Sequence, residues 1–144
     1  MIKSFRGQLA TSGKETIRLS TNTGMIGYKI NKLQLMPTNP GTTAYENLLK
    51  IFTVPQTSVT GTVDFSDSTL LGVAYIANNG NNTTNDTTIV VFDNIVVNQD
   101  IYLTQIDLDG TPTQAANYHL ELEQVKLDLS EATVATLKDM RGTE

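Results

Sequence analysis

Residues 118–127 read YHLELEQVKL, and the alternation of apolar and polar side chains in this stretch decides the fold class. Successive side chains of a strand point to opposite faces, so Tyr118, Leu120 and Leu122 fall on one side of an extended chain. His119, Glu121 and Glu123 fall on the other side. The stretch therefore predicts a half-buried β-strand near the centre of a sheet.

Residues 1–20 carry the pattern of two further strands joined by a turn. A first strand is predicted over residues 1–10 and a second over residues 15–20. The turn between them contains Gly13, which can adopt a positive φ without steric cost. This part of the chain therefore predicts a hairpin-like pair.

A longer strand is predicted over residues 25–36, but its alternation changes phase between Ile30 and Leu33. The change predicts a β-bulge near Asn31 and Lys32, because one extra residue moves every later side chain to the opposite face. Further strands are expected at 48–54, 70–77 and 87–93, with one or two between 94 and 107 in which Ile101 and Leu103 face the interior. Three stretches keep an alternative: 46–51 could begin a short helix, 70–77 could be a helical turn, and 57–65 could be an edge strand or an ordered loop.

The period changes after residue 127. Asp128 is an N-cap residue type and Glu131 lies three places further on, as in a capping box. The spacing predicts a short C-terminal helix over residues 129–141, with Gly142 as its stop. Ahead of it, the Asn-rich residues 78–86 hold no apolar side chain and predict an exposed loop.

About eight short strands separated by turn signals, with no βαβ rhythm, indicate an all-β fold. We predict one domain over residues 1–144, an antiparallel β-sandwich of jelly-roll-like topology. An immunoglobulin-like sandwich is the alternative. The chain contains neither Cys nor Trp, which argues against an antibody-type domain.

Composition excludes several classes of function. The net charge of −5 and the scattered basic residues disfavour nucleic-acid binding, which needs clustered Lys and Arg. The densest basic group, Lys3, Arg6, Lys14 and Arg18, is expected to be solvated. Without cysteine there is no disulfide or thiolate metal site. No apolar run approaches the roughly 20 residues of a spanning helix, so we expect a soluble chain, made in a cytoplasm, that does not enter a membrane.

One polar constellation lies on the strand that decides the fold. His119, Glu121 and Glu123 share a face at a spacing of two and could form a weak metal site or an acid–base cluster. A solvated strand face is the favoured interpretation. We therefore expect no enzyme activity, no catalytic residue and no cofactor.

The acidic turns contain a candidate calcium site. Asp107 and Asp109 resemble the start of a calcium loop, and Asp64 and Asp67 could add oxygen ligands. The third ligand before the glycine and the later bidentate Glu of an EF-hand are missing. Acidic turn residues mostly accept local hydrogen bonds, so no metal site is expected.

A resemblance to a known family rests on six segments of the chain: residues 17–30, 63–71, 91–94, 98–102, 118–129 and 135–141. In these segments the chain resembles a family of small structural virion proteins of marine tailed bacteriophages. The resemblance implies a capsid cement or decoration subunit that binds between major capsid proteins and stabilises the head shell. It also implies a homo-oligomer, for example a trimer, on the capsid surface of the virion, made in the cytoplasm of a bacterial host.

Two alternatives of other classes stay open. A carbohydrate- or receptor-binding module on a phage tail or capsid surface predicts exposed tyrosines near residues 78–86 and 107–112. A jelly-roll enzyme predicts that His119 and its neighbouring glutamates meet another ligand. For the capsid role, we expect the N-terminal strand 1–10 and the C-terminal helix 129–141 to form the interface, since both carry apolar residues outside the central strands.

Overall fold

The computed structural model describes residues 1–40, 44–78, 87–109 and 113–140, which form eight strands and one helix. The elements are β1 (Ile2–Leu9), β2 (Gly13–Ile17), β3 (Ile26–Pro37), β4 (Tyr45–Phe52), β5 (Leu70–Asn78), β6 (Thr87–Phe92), β7 (Ile101–Asp107), β8 (Ala116–Lys126) and α1 (Leu129–Met140). The predicted all-β class with a short C-terminal helix is confirmed. Residues 79–86 of the predicted loop, residues 110–112 and Gly142 lie outside the described residues.

The strands form two antiparallel sheets that face each other. The first sheet has the order β1-β8-β3 and the second β2-β7-β4-β5-β6. Strand β1 pairs with β8, β2 with β7 and β4 with β5. This is the pairing of a jelly roll, in which the first strand lies beside the last and the following strands pair inward in turn. An immunoglobulin-like sandwich keeps its first two strands in one sheet, whereas β1 and β2 lie in different sheets.

The sixth strand departs from a complete jelly roll, in which it would extend the first sheet beside β3. It pairs instead with β5, placing Phe92 opposite Gly72. The edge of β3 is met at one point by Val97, whose backbone exchanges two hydrogen bonds of 2.7 and 2.8 Å with Tyr28. Consequently β6 forms an edge of the second sheet.

The hydrophobic core lies between the sheets and follows the predicted alternation. Leu120 sits at the centre of the first sheet, opposite Phe5 on β1 and Leu33 on β3. Ile101 and Leu103 of β7 face the interior, as expected, and both are fully buried. Burying such side chains contributes roughly 1.5–3 kcal/mol each, so these alternating positions stabilise the sandwich.

The structure confirms one local prediction and contradicts another. The bulge is confirmed, because the β3–β8 register shifts between Ile30 and Lys32. The prediction of a positive φ at Gly13 is wrong: Ser12 has the positive φ of 62°. Gly13 is needed for a close approach, since a Cβ there would lie 2.7 Å from the Ala10 carbonyl oxygen.

The long connection between β4 and β5 is a loop, and the edge-strand alternative is not observed. It covers the outer face of the second sheet, where Lys50 donates from its Nζ to the Thr62 carbonyl at 2.8 Å and to Thr60 Oγ1 at 3.3 Å. Gly61 passes so close to Leu108 that a Cβ would lie 2.4 Å from its Cδ2. The loop therefore buries a second apolar cluster outside the main core: Leu48, Phe52, Leu70 and Val73.

Candidate interaction surfaces

The polar constellation of β8 lies on the outer face of the first sheet. His119, Glu121 and Glu123 alternate with the buried Leu120 and Leu122, as the sequence predicts. Glu123 forms an ion pair with Lys29, with 3.3 Å between Oε2 and Nζ. Among the described residues no group of three His, Asp or Glu side chains could hold a metal ion. The three side chains are half-buried rather than fully solvated, and His119 Nδ1 has no hydrogen-bond partner among the described residues.

The acidic turn residues accept hydrogen bonds from their own loops. Asp107 is buried, and its carboxylate accepts backbone N–H groups of Glu46, Asp109 and Gln114 at 2.6–3.1 Å. Asp64 accepts from Ser66 in the same way, and these bonds lower the pKa of the Asp64 carboxyl. The structure keeps these carboxylates in separate loops and does not bring them together around a cation position.

The N-terminal basic residues do not form a patch. Lys3 donates to the Tyr28 hydroxyl at 3.2 Å, and Lys14 donates to a loop carbonyl at 3.1 Å. Arg18 lies 3.9 Å from Asp100, whose carboxylate also accepts the backbone N–H groups of Leu19 and Ser20. Each cation therefore serves a different local contact.

Helix α1 presents apolar side chains to solvent along one side. Leu129, Val134 and Leu137 are 73%, 65% and 61% exposed, and we call these three residues the helix surface. At about 100° per residue, Leu137 lies about 60° from Val134 and about 80° from Leu129, so the three form one broad stripe that spans about 140° of the helix circumference. The opposite side of the helix packs on the sandwich through Ala132 and Ala135.

Local capping makes this helix form where it does. Asp128 accepts the N–H of Glu131 at 2.7 Å, and the Glu131 carboxylate accepts the N–H of Asp128 at 3.3 Å. This reciprocal pair is the predicted capping box. It satisfies backbone donors that the first helical turn leaves without intrahelical partners.

A buried asparagine attaches the helix to the sandwich. The Nδ2 of Asn98 donates to the Gly24 carbonyl at 3.0 Å, to Thr136 Oγ1 at 2.7 Å and to the Ala132 carbonyl at 3.2 Å. Its backbone N–H donates to Asp139, and burial raises the pKa of the Asp139 carboxyl. The helix surface is thus held in a fixed orientation by polar contacts beneath it.

Shallow apolar grooves flank the helix. One is lined on the sandwich side by Ile95, Val96 and Val125, and on the helix side by Val134 and Ala135. A second lies between Thr23 and the side of the helix that carries Leu129 and Leu137. The exposed stripe is therefore continuous with concave apolar surface on both sides.

A second apolar surface lies on the edge strand β6. Ile89, Val90 and Val91 are 52%, 37% and 43% exposed, although consecutive side chains point to opposite faces of the sheet. Phe65 of the covering loop is 69% exposed and lines one groove with Val91. We call these four residues the edge surface. Exposed apolar residues on an unprotected strand edge are typical of protein–protein contact.

The tyrosines expected of a carbohydrate site are mostly internal. Tyr28, Tyr45 and Tyr118 are buried, and Tyr118 donates a short hydrogen bond to Glu15. Tyr75 is half-buried and donates to Glu46 at 2.9 Å. One polar groove nevertheless lies beside the expected loops, lined by Tyr45, Glu46, Tyr75, Ala77, Asn78, Thr87 and Asp109.

The sequence predicts the helix as an interface segment, and the structure shows exposed apolar side chains on it; the edge surface was not predicted. The run Ile89-Val90-Val91-Phe92 is apolar on both faces, which is typical of a fully buried strand. The structure places it at the edge of a five-stranded sheet that faces only three strands. The apolar residues on both faces of this strand are the one sequence signal for the edge surface, but the same pattern also fits a strand buried within a sheet.

Comparison with known proteins finds no family model that matches the chain and no curated protein with a significant match. Among the described residues, α1 is the one helix, and it lacks the length and apolar content that crossing a bilayer requires.

Proposed function

We propose that this protein is a structural subunit of a tailed-phage virion, a capsid cement or decoration protein that binds between major capsid proteins and stabilises the head shell. The observation that carries the proposal is the helix surface: Leu129, Val134 and Leu137 are exposed on a helix whose other side is fixed to the sandwich. The sequence resemblance supplies the virion setting. A jelly-roll sandwich suits such a role because its two sheets form a support on which α1 is held in place.

Burial of the helix surface against a capsid protein would drive attachment. Fully burying an exposed Leu or Val side chain contributes roughly 1.5–3 kcal/mol. Because these three are about two-thirds exposed, docking them contributes about 3–6 kcal/mol before the cost of association. Association itself costs about 4–15 kcal/mol in lost freedom, so one such contact gives weak binding. A lattice overcomes this cost when several linked copies bind at once.

The test measures binding of the purified protein to shells of the major capsid protein that lack it. We expect saturable co-sedimentation, weakened at least roughly tenfold by Leu137→Gln combined with Val134→Gln. Glutamine is a good helix former, so the helix should survive. Lys32→Gln, on the exposed polar face of the first sheet, is the matched control and should bind as the unaltered protein does. Shells that bind neither the unaltered protein nor the Lys32→Gln control would contradict the proposal.

The polar groove beside β4 and β5 favours a second candidate function, recognition of a carbohydrate or receptor. Its Tyr75 phenol and Glu46 carboxylate form a hydrogen-bonded pair at the groove surface, groups that commonly bind sugar hydroxyls. Titration with surface polysaccharide from a host bacterium would reveal it. Saturable binding that Tyr75→Phe weakens, while the helix variants leave it unchanged, would favour this function over capsid attachment.

A further inference from the structure

We propose that β6 is a self-association edge: two copies of this chain pair their β6 strands antiparallel about a two-fold axis at Val90. The pairing would join the two five-stranded sheets into one continuous sheet. It uses the edge surface and leaves the helix surface free. The inference is therefore independent of the capsid proposal, and the two can fail separately.

The hydrogen bonding of β6 fixes which backbone groups face its free edge. The N–H of Asp93 donates to the Leu71 carbonyl at 2.8 Å, in the same register that places Val91 opposite Val73. Residues of an antiparallel strand alternate between bonding toward one neighbour and toward the other. Val91 and Ile89 therefore bond toward β5. The N–H and C=O groups of Thr88, Val90 and Phe92 point to the free edge.

One symmetric register pairs all of these edge-facing groups. With Val90 opposite Val90 of the second copy, Thr88 lies opposite Phe92 of the second copy, and the reverse pair follows from the two-fold axis. Each of these pairs exchanges two backbone hydrogen bonds. Between them Ile89 falls opposite Val91 of the second copy, on the face that also carries Phe65. Such cross-strand apolar pairs each contribute roughly 0.2–1 kcal/mol.

Charge favours a second copy as the occupant of this edge. The strand reads TTIVVF and carries no charged residue, whereas the other described edge strands, β1, β2 and β3, each contain lysine. In the proposed register Asp93 faces Thr87 of the second copy rather than another carboxylate. Because the chain has a net charge of −5, an uncharged self-complementary edge is a place where two copies meet without strong repulsion.

Within the residues that the structure describes, this edge also lacks the usual protection against pairing. Native edge strands are commonly blocked by lysine, proline, a bulge or a covering segment. β6 holds neither lysine nor proline, and its register with β5 is regular from Thr87 to Phe92. Its three central side chains are exposed on both faces of the sheet. The strand is therefore a suitable template for an added strand.

The symmetry of this contact determines the assembly. An isologous interface uses the same surface on both partners and closes as a dimer. The trimer implied by the sequence resemblance would need a different, head-to-tail interface. The proposal therefore predicts a mass of twice 15.7 kDa in solution.

Single cysteines test both the contact and its register, because the chain contains no native cysteine. Directly opposed hydrogen-bonded residues have Cα atoms about 5.5 Å apart, within the range of a disulfide. We expect Val90→Cys to form an oxidised dimer readily. In Ile89→Cys the two equivalent Cα atoms would lie about 8 Å apart, too far for a bond without backbone movement. This matched control should form the dimer at least roughly tenfold more slowly.

A second experiment uses light scattering over a concentration series. The unaltered protein should dimerise, and Val90→Pro should be monomeric with an unchanged circular dichroism spectrum, because the N–H it removes points to the free edge. Val90→Lys should also be monomeric and is the second variant if proline perturbs folding. A monomer at all accessible concentrations, a trimer, or faster crosslinking of Ile89→Cys than of Val90→Cys would each overturn the proposal.

Discussion

Replacing Asn98 with alanine tests how the helix is attached. Asn98 is fully buried between the sandwich and α1, and its Nδ2 reaches Thr136 Oγ1 at 2.7 Å and the Gly24 carbonyl at 3.0 Å. Asn98→Ala removes these hydrogen bonds together with the third one, to the Ala132 carbonyl, and leaves a buried acceptor without a donor. We expect the protein to remain folded but to hold α1 less firmly.

The magnitude follows from the atoms involved. The amide has two N–H donors for its three acceptors, and losing them costs about 1 kcal/mol for each donor. A buried acceptor left without a donor costs about 1–2 kcal/mol more. The Asn98 Oδ1 has no partner among the described residues, so removing it recovers about 1 kcal/mol. The expected loss is about 2–3 kcal/mol in the free energy of unfolding. For a chain of this length that lowers Tm by about 6–12 °C.

Isosteric variants separate hydrogen bonding from packing. Asn98→Asp keeps the shape but replaces the donor with a carboxylate oxygen facing acceptors, so it should destabilise more than alanine at neutral pH and recover when protonated in acid. Thr136→Val removes one acceptor and should cost about 1 kcal/mol.

The assay combines urea unfolding with native-state hydrogen exchange. Exchange of the amides in residues 129–140 should accelerate in the Asn98→Ala variant, while exchange of the β8 amides changes less. An Asn98→Ala protein whose stability lies within about 0.5 kcal/mol of the unaltered chain, with unchanged helix exchange, would refute the reasoning.

Three further substitutions have expected outcomes. Gly24 has a φ of 67°, and a Cβ there would lie 3.1 Å from Asn98 Nδ2. Gly24→Ala should therefore lower the free energy of unfolding in urea by about 1–2 kcal/mol. A variant more stable than the unaltered chain would contradict this. Burial raises the pKa of the Asp139 carboxyl above its unfolded value, so the stabilising contribution of this group is complete below the unfolded pKa and is lost as pH rises through the folded pKa. Over that rise in pH, the Asp139→Asn variant should gain stability relative to the unaltered chain. Thermal unfolding as a function of pH tests this, and parallel curves for the two proteins would count against it. Lys50→Met should cost about 1 kcal/mol and speed proteolysis of the loop 53–69, because it removes the donor to the Thr62 carbonyl. The control Lys32→Met, on the exposed face of the first sheet, should leave the cleavage rate unchanged.

The sequence located one of the two exposed apolar surfaces. The capping residues Asp128 and Glu131 and the change of period predicted the helix, and its apolar residues marked it as an interface segment. The edge surface could not be found in this way. Whether Val90 is buried depends on how many strands lie across from it, which is a property of the assembled sheets.

The sequence alone determined the period of each strand, the bulge after Ile30, the capped helix and the polar face that carries His119, because these follow from neighbours within a few residues. Tertiary structure alone decided that β6 stays on the β5 hairpin, that the loop 53–69 covers the second sheet, and that Asn98 lies beneath α1. These outcomes depend on contacts between residues far apart in the chain, with Asn98 and Gly24 separated by 74 positions. Local side-chain patterns carry no information about which distant surface a segment will meet.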